Sequence, residues 1–167
     1  MGFRFAESTI WPFFDRQLKS VTLPEGVVAI GTGAFCENEF TELTLPDSVV
    51  VVGPDCFSEN RLKTIKLSAS LQVIGENAFS SNLIEHVDLP DTVTIIGPEA
   101  FCSNRLTSIK IPPQVIKIEG GAFSYNRLAE LELPPSVTTI GGRAFANNRL
   151  TRLTLPDTIT KLERNAF

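Results

Sequence analysis

A repeat of constant length is the feature that most constrains how this chain of 167 residues can fold. One phenylalanine column recurs every 22 residues, without insertion or deletion, at Phe35, Phe57, Phe79, Phe101, Phe123, Phe145 and Phe167. One period earlier stands Phe13, in a divergent first segment. A unit of this size cannot bury its own apolar side chains, whereas stacked copies share one continuous core. The period therefore predicts a solenoid.

Within each repeat, the apolar pattern predicts two short strands and a tight turn. Leu153 and Leu155 alternate with exposed residues before Pro156, as in a strand with one buried face that a proline ends. The stretch from Val137 to Ile140 indicates a second extended segment, which closes at a glycine. The segment around each Ala-Phe pair is too short for a stable helix, so we expect a single helical or 3₁₀ turn there.

Two columns of the repeat are expected to stabilise the stack. Copies of a residue in neighbouring turns lie about 4.8 Å apart, the spacing of strands in a sheet. The phenylalanine column then becomes an aromatic spine. The asparagine that follows three residues later can form a ladder of amides bonded to the backbone of adjacent turns. A ligand-binding row of amides is the alternative, but an asparagine in every full turn, just before a strand, favours the structural role.

The repeated phrases "AFCSNRLTSIKIPPQVIKIEGGAF" and "AFANNRLTRLTLPDTITKLERNAF" follow the pattern AFxxNxLTxLxLPxSVTxIG. This pattern closely resembles the BspA-like type of leucine-rich repeat, over roughly residues 13 to 167. One departure is the asparagine column, where many members of the family carry cysteine. The resemblance implies a right-handed arc with a parallel β-sheet on its concave face. It also implies a bacterial or protist surface protein, at the cell surface or secreted, that acts in adhesion or in binding host proteins.

The chain is interpreted as one repeat domain with a divergent first segment. Residues 1–14, which are rich in bulky apolar side chains including Trp11, are predicted to form an N-terminal cap. Residues 15–167 are predicted to form a leucine-rich-repeat solenoid of about seven turns of 22 residues. The chain ends at Phe167, in the middle of the repeated phrase and without a polar C-terminal cap. This end is therefore expected to be open, and a homodimer would form through it.

Composition limits the classes of partner. The net charge of −4 and the pI near 5.1 argue against sequence-independent nucleic-acid binding, which needs a basic surface. No apolar run approaches the roughly 20 residues of a membrane span, and the first residues do not resemble a signal peptide. Three cysteines do not form a disulfide framework: Cys36 and Cys102 lie three turns apart, although a Cys36–Cys56 bridge stays open.

The residue types needed for catalysis are missing from the pattern. His86 is the only histidine, so no Ser-His-Asp or Cys-His set can be assembled around a second base. A lone imidazole beside Glu85 and Asp88 makes a poor metal site, and we predict no metal and no cofactor. The chain is therefore not expected to be an enzyme.

Variation among the repeats identifies the candidate binding residues, because buried columns hardly change while outward positions change freely. The first candidate set contains the single tyrosine and a row of arginines in one column of the repeat: Arg105, Tyr125, Arg127 and Arg149. Tyrosine and arginine are both enriched at binding hot spots. The second set lies on the outward positions of the strand before the proline: Lys63, Glu85, Lys110 and Glu132. The predicted function is a protein-interaction or adhesion scaffold with a protein partner, either a host protein or a second copy. The alternative is a structural spacer or self-assembling element that stacks end to end.

Overall fold

Each repeat forms one turn of a parallel β-solenoid, as the period predicts. The computed structural model describes Phe13 and residues 15–167. The rest of the predicted N-terminal cap, including Trp11, lies outside the described residues. The strands are β1 (Ala29–Ile30), β2 (Glu42–Thr44), β3 (Val51–Val52), β4 (Thr64–Lys66), β5 (Val73–Ile74), β6 (Ile95–Ile96), β7 (Lys117–Ile118), β8 (Glu130–Glu132), β9 (Thr139–Ile140), β10 (Arg152–Thr154) and β11 (Lys161–Leu162).

The strands stack in two columns. The glycine-side strands, each followed by the position that is usually glycine, form one sheet in the order β1-β3-β5-β6 and another in the order β11-β9-β7. The proline-side strands, which precede the proline column, form the pairs β2-β4 and β8-β10. Every pairing is parallel and joins residues one period apart, for example Val51 with Val73 and Leu131 with Leu153. The constant register follows from the constant period.

The segment around each Ala-Phe pair folds as reverse turns, and the described residues contain no helix. In the third full repeat, the Ala78 N–H donates to the Gly75 carbonyl at 3.3 Å and the Ser80 N–H donates to the Asn77 carbonyl at 3.0 Å. Asn77 and Ser81 have φ angles of 52° and 54°. Left-handed residues on both sides of the pair stop any helix from propagating. Overlapping turns therefore replace the predicted helical or 3₁₀ turn.

The aromatic spine is confirmed. Consecutive rings stack from Phe13 to Phe167 with centroids between 5.3 and 5.9 Å apart and interplanar angles of at most 14°. Phe57, Phe79 and Phe101 are fully buried. The spine thus runs through the core of the inner turns and is partly exposed at its two ends, Phe13 and Phe167.

The asparagine ladder is also confirmed, and each amide ties adjacent turns together. The Asn82 side-chain nitrogen donates to the carbonyls of Phe57 at 2.9 Å, Phe79 at 3.2 Å and Ser80 at 3.0 Å. Its oxygen accepts from the Leu62 N–H at 3.0 Å. The same arrangement recurs at Asn60, Asn104, Asn126 and Asn148. These bonds satisfy backbone groups that the turns would otherwise leave unpaired.

The glycine column is explained by the close approach of neighbouring turns. A Cβ atom at Gly75 would lie 2.5 Å from the Pro54 nitrogen and 2.6 Å from the Gly53 carbonyl carbon. At Gly31, in the first of these turns, a Cβ atom would meet no atom of the described residues within 4 Å. The close approach thus favours glycine at positions 53, 75, 97 and 141, although Glu119 and Glu163 occupy the same column.

We expect Gly75→Ala to lower the free energy of unfolding by about 1–3 kcal/mol, because the new methyl group must push against backbone. Gly31→Ala is the matched control and should leave stability nearly unchanged. Urea denaturation followed by circular dichroism measures both. Equal effects of the two substitutions would contradict this explanation of the column.

The strand ladders are interrupted in the middle of the solenoid. Within the described chain, β6 does not pair with β7, and residues 85–89 and 107–111 form no strand on the proline side. Glu119 replaces glycine beside the first gap. Glu163 makes the same replacement, yet its N–H still donates to Ile140 at 2.9 Å, so a glutamate alone does not open the ladder. The turn side remains continuous: the Phe101 N–H donates to the Ala122 carbonyl at 2.9 Å.

Candidate binding surface

The proline-side strands present an exposed face. In β8, Leu131 points into the core and is 3% exposed, while Glu130 and Glu132 on either side of it are exposed. The strand-face candidates of the sequence analysis all lie at exposed positions: Lys63, Glu85, Lys110 and Glu132. The alternation predicted from the leucine pattern accounts for Lys110 and Glu132, which directly follow inward residues, whereas Lys63 and Glu85 are exposed just before the alternating residues begin.

Two cavities open on this face where the strand pairing is interrupted. One, of about 410 Å³, is lined by His86, Asp88, Ser108 and Lys110 among others. The other, of about 430 Å³, is lined by Lys110, Glu132 and the apolar side chains beneath them. Lys110 thus borders both cavities, whereas Lys63 and Glu85 border neither.

His86 is a surface residue. Its Nε2 atom lies 3.1 Å from the Asp88 carboxylate, and both side chains are mostly exposed. The described residues contain no group of three histidine, cysteine or acidic side chains placed to hold a metal ion. They also contain no helix long and apolar enough to cross a membrane.

The arginine row differs from neighbouring charges because it lacks ion-pair partners. Arg127 and Arg149 are exposed and Arg105 is half-buried, and none of the three forms a salt bridge within the described part of the chain. In the same column, Arg61 lies 3.0 Å from Glu39. Glu130, an acid three residues after Arg127 in the chain, lies 3.5 Å from Arg152 on the strand face instead.

Tyr125 lies beside a different set of charges from the one predicted. It is 59% exposed and borders a groove of about 480 Å³ on the turn side. Glu99 and Arg143 line this groove, and the three arginines of the row do not. Sequence reasoning did not find Glu99 and Arg143. The signal that could have found them is the glycine pairs at 120–121 and 141–142, which remove side chains from this surface.

The three cysteines are free thiols, and no Cys36–Cys56 bridge is present. The Cys36 sulfur lies 3.0 Å from the Ser58 hydroxyl. Burial raises the pKa of the Cys36 thiol, and it raises the pKa of the fully buried Cys56 thiol much further. Because the thiolate is the reactive form, neither group is suited to nucleophilic chemistry.

Comparison with known proteins agrees with this architecture. The family model of the BspA type leucine rich repeat region matches six copies, over residues 12–129 and 52–167. The crystal structure of the pneumococcal vaccine antigen PcpA is similar, with 25% identity and a TM-score of 0.66, over 84% of this chain and 37% of that chain. A leucine-rich repeat protein from Bacteroides ovatus is 27% identical with a TM-score of 0.61, over 84% of this chain and 44% of that one.

The chain spans less than half the length of either structure. No curated protein matches it. The family match nevertheless covers nearly all of the chain, and the solenoid, the aromatic spine and the asparagine ladder all repeat with the period of the sequence. The chain therefore belongs to the BspA-type leucine-rich-repeat family.

Proposed function

We propose that this chain is a protein-interaction or adhesion module that works at the cell surface or after secretion. It binds a protein partner through the outward positions of the proline-side strands and the adjoining arginine row. The observation that carries this proposal is the contrast between the two sides of each strand. The inward residue is apolar in every repeat, while the exposed position directly before it reads Glu42, Thr64, His86, Ser108, Glu130 and Arg152. A constant core with a variable exposed face is typical of binding solenoids.

The centre of the strand face is the first contact that we propose. Lys110 and Glu132 border a cavity of about 430 Å³ whose floor includes Ile109 and Leu133. A concave site with an apolar floor and charged edges suits an inserted side chain of a partner. Charges of both signs at the edges would give the contact its specificity.

The arginine row is the second contact. Arg105, Arg127 and Arg149 stand on consecutive turns, about 5 Å apart at the strand spacing. Like charges at this distance repel one another, and acidic groups of a partner would relieve that repulsion. The net charge of −4 makes a protein a better partner than a nucleic acid.

The test is capture of a partner from host or self extracts, followed by affinity measurements with charge reversals. Arg127→Glu should weaken binding by about 2 kcal/mol, roughly 30-fold, without lowering the melting temperature, because the side chain is exposed and unpaired. The double variant Lys110→Glu and Glu132→Lys should have a similar effect. Arg61→Glu, in the same column but already paired with Glu39, is the matched control.

Unchanged affinity in both reversal variants would overturn the proposed surface. If no partner is retained by the wild-type chain, the interaction function itself fails. The melting temperatures of all variants must be measured in parallel, so that a loss of binding is not confused with unfolding.

Self-association is the second candidate function, and the last described turn favours it. Leu153, Leu162 and Phe167 are 40%, 52% and 41% exposed there. We propose that a second copy covers these groups. Light scattering of this chain should show a dimer whose population rises with concentration, and an appended polar repeat should abolish it. A strict monomer at high concentration, before and after the addition, would contradict the candidate.

A further inference from the structure

We propose that the groove beside Tyr125 binds an extended peptide segment of mixed charge. The basic end of the segment lies at Glu99, and its acidic end lies at Arg143 and Arg164. The inference rests on the proposed function in one respect, that the partner is a protein. It concerns a different surface, on the turn side of the solenoid, and different residues.

Missing side chains create the groove. In the three repeats before it, the two positions that open the turn carry Pro54 and Asp55, then Glu76 and Asn77, then Pro98 and Glu99. The next repeat carries Gly120 and Gly121 instead, and the following one begins with Gly142. The resulting groove has a volume of about 480 Å³ and crosses three consecutive turns. Gly120, Gly121 and Gly142 line it, and a peptide can approach the backbone of a glycine closely.

Tyr125 borders this groove in a conformation that does not favour tyrosine. Its φ angle is 54°, in the left-handed region where large side chains are strained. The equivalent positions carry small or polar residues instead: Glu37, Glu59, Ser81, Ser103 and Asn147. The ring is 59% exposed, so it gains little from burial in the folded chain. An aromatic side chain held out beside an open groove is suited to contact an apolar or aromatic side chain of a ligand.

The charged groups of the groove are ordered along the solenoid axis. Glu99 stands at one end and Arg143 two turns further on. A smaller adjoining cavity, of about 350 Å³, places Arg143 beside Gly142 and Arg164. The backbones of the two arginines are neighbours, since the Arg143 N–H donates to the Arg164 carbonyl at 3.2 Å. Within the described part of the chain, none of these three charged side chains forms an ion pair.

This order determines both the chemistry and the length of the ligand. Two turns of the solenoid span about 10 Å and three span about 14 Å. An extended peptide covers these distances in about three and four residues, at roughly 3.3 Å each. Because the side chains of an extended strand alternate between its two faces, a cation, an aromatic ring two residues later and a carboxylate four residues later share one face. These three groups would meet Glu99, Tyr125 and the pair of Arg143 and Arg164 in turn. A uniformly anionic ligand fits less well, because Glu99 would repel it.

Fluorescence anisotropy with a labelled peptide Lys-Ala-Phe-Asp-Asp, blocked at both ends, tests the proposal. The control peptide has the same composition with the lysine moved between the two aspartates. We expect the wild-type chain to bind the first peptide about tenfold or more tightly than the control. Arg143→Glu should lower the affinity for the first peptide by a similar factor. Tyr125→Ser introduces the residue type found at the equivalent position, Ser103. This substitution should also lower the affinity for the first peptide, without lowering the melting temperature.

Arg61→Glu again serves as the matched control, because it reverses an exposed arginine away from the groove. Equal binding of the two peptides, or full binding by Arg143→Glu and Tyr125→Ser, would overturn the proposal. A sulfated oligosaccharide that binds more tightly than the first peptide would also overturn it, in favour of a polyanion site. The capture experiment with Arg127→Glu does not involve this groove, so each proposal can fail without the other.

Discussion

Replacing Phe101 by alanine is expected to lower the free energy of unfolding by about 3–5 kcal/mol. The ring is fully buried and stacks between Phe79 and Phe123, with centroid distances of 5.4 and 5.7 Å. Removing it leaves a cavity in the middle of the spine, and the flanking turns cannot close this cavity because backbone bonds hold their spacing. Urea denaturation followed by circular dichroism measures the change.

Phe167→Ala is the matched control for this substitution. Its ring is 41% exposed and stacks on one neighbour, Phe145, at 5.9 Å. Phe167→Ala should therefore lower the free energy of unfolding much less than Phe101→Ala does. A Phe101→Ala variant that unfolds at the wild-type urea concentration would show that the spine does not carry the stability assigned to it. Repeat arrays can unfold without full cooperativity. The dependence of the unfolding free energy on urea concentration should therefore be compared between variants first, and the free energies themselves afterwards.

We expect Asn104→Asp to destabilise the chain by at least about 3 kcal/mol near neutral pH. The amide nitrogen donates to the carbonyls of Phe79 at 2.8 Å, Phe101 at 3.3 Å and Cys102 at 3.3 Å. Aspartate puts a carboxylate oxygen in its place, so three carbonyls each lose one of their donors and face a negative charge. Burial destabilises the charged form of the new carboxyl group in the folded state. The loss in free energy of unfolding should therefore be smaller near pH 4, where protonation of the carboxylate restores one donor.

Asn147→Asp is the control, since it makes the same chemical change at an exposed asparagine for which the structure describes no side-chain hydrogen bond. It should alter stability by less than about 0.5 kcal/mol. Chemical denaturation of both variants at the two pH values separates the effect of a buried carboxylate from the effect of the change in net charge. If Asn104→Asp were as stable as Asn147→Asp, the ladder could not be a main tie between turns.

Much of the fold could be predicted from the sequence, because the same columns of the repeat show both its length and which of its side chains are buried. A phenylalanine in every turn had to stack on its copies, and an asparagine in every turn had to bond to the adjacent backbone, as Asn82 does. The strand before the proline was predicted from its alternating leucines. These features depend on residue type and spacing alone.

The remaining features depend on how closely the turns approach one another, which the sequence does not state directly. The reverse turn at Phe79 requires positive φ angles at Asn77 and Ser81, residues that also occur commonly in helical turns. The groove at Tyr125 is defined by side chains that are absent, and a search for conspicuous residues passes over glycine. For this reason Tyr125 was grouped with the arginine row, whereas Glu99 and Arg143 line its groove.

The uneven bonding of the solenoid has a mechanical consequence. Between residues 85 and 118 both strand ladders are interrupted, while the turn side keeps its backbone bonds, such as the 3.0 Å bond from the Ser103 N–H to the Ser124 carbonyl. We therefore expect the solenoid to bend more easily at this point than elsewhere, because no strand pair has to break there. Such bending would widen or narrow the strand face around Lys110. The same coil could then adjust its curvature to partners of different shape, with the stiff ladders on either side acting as two arms.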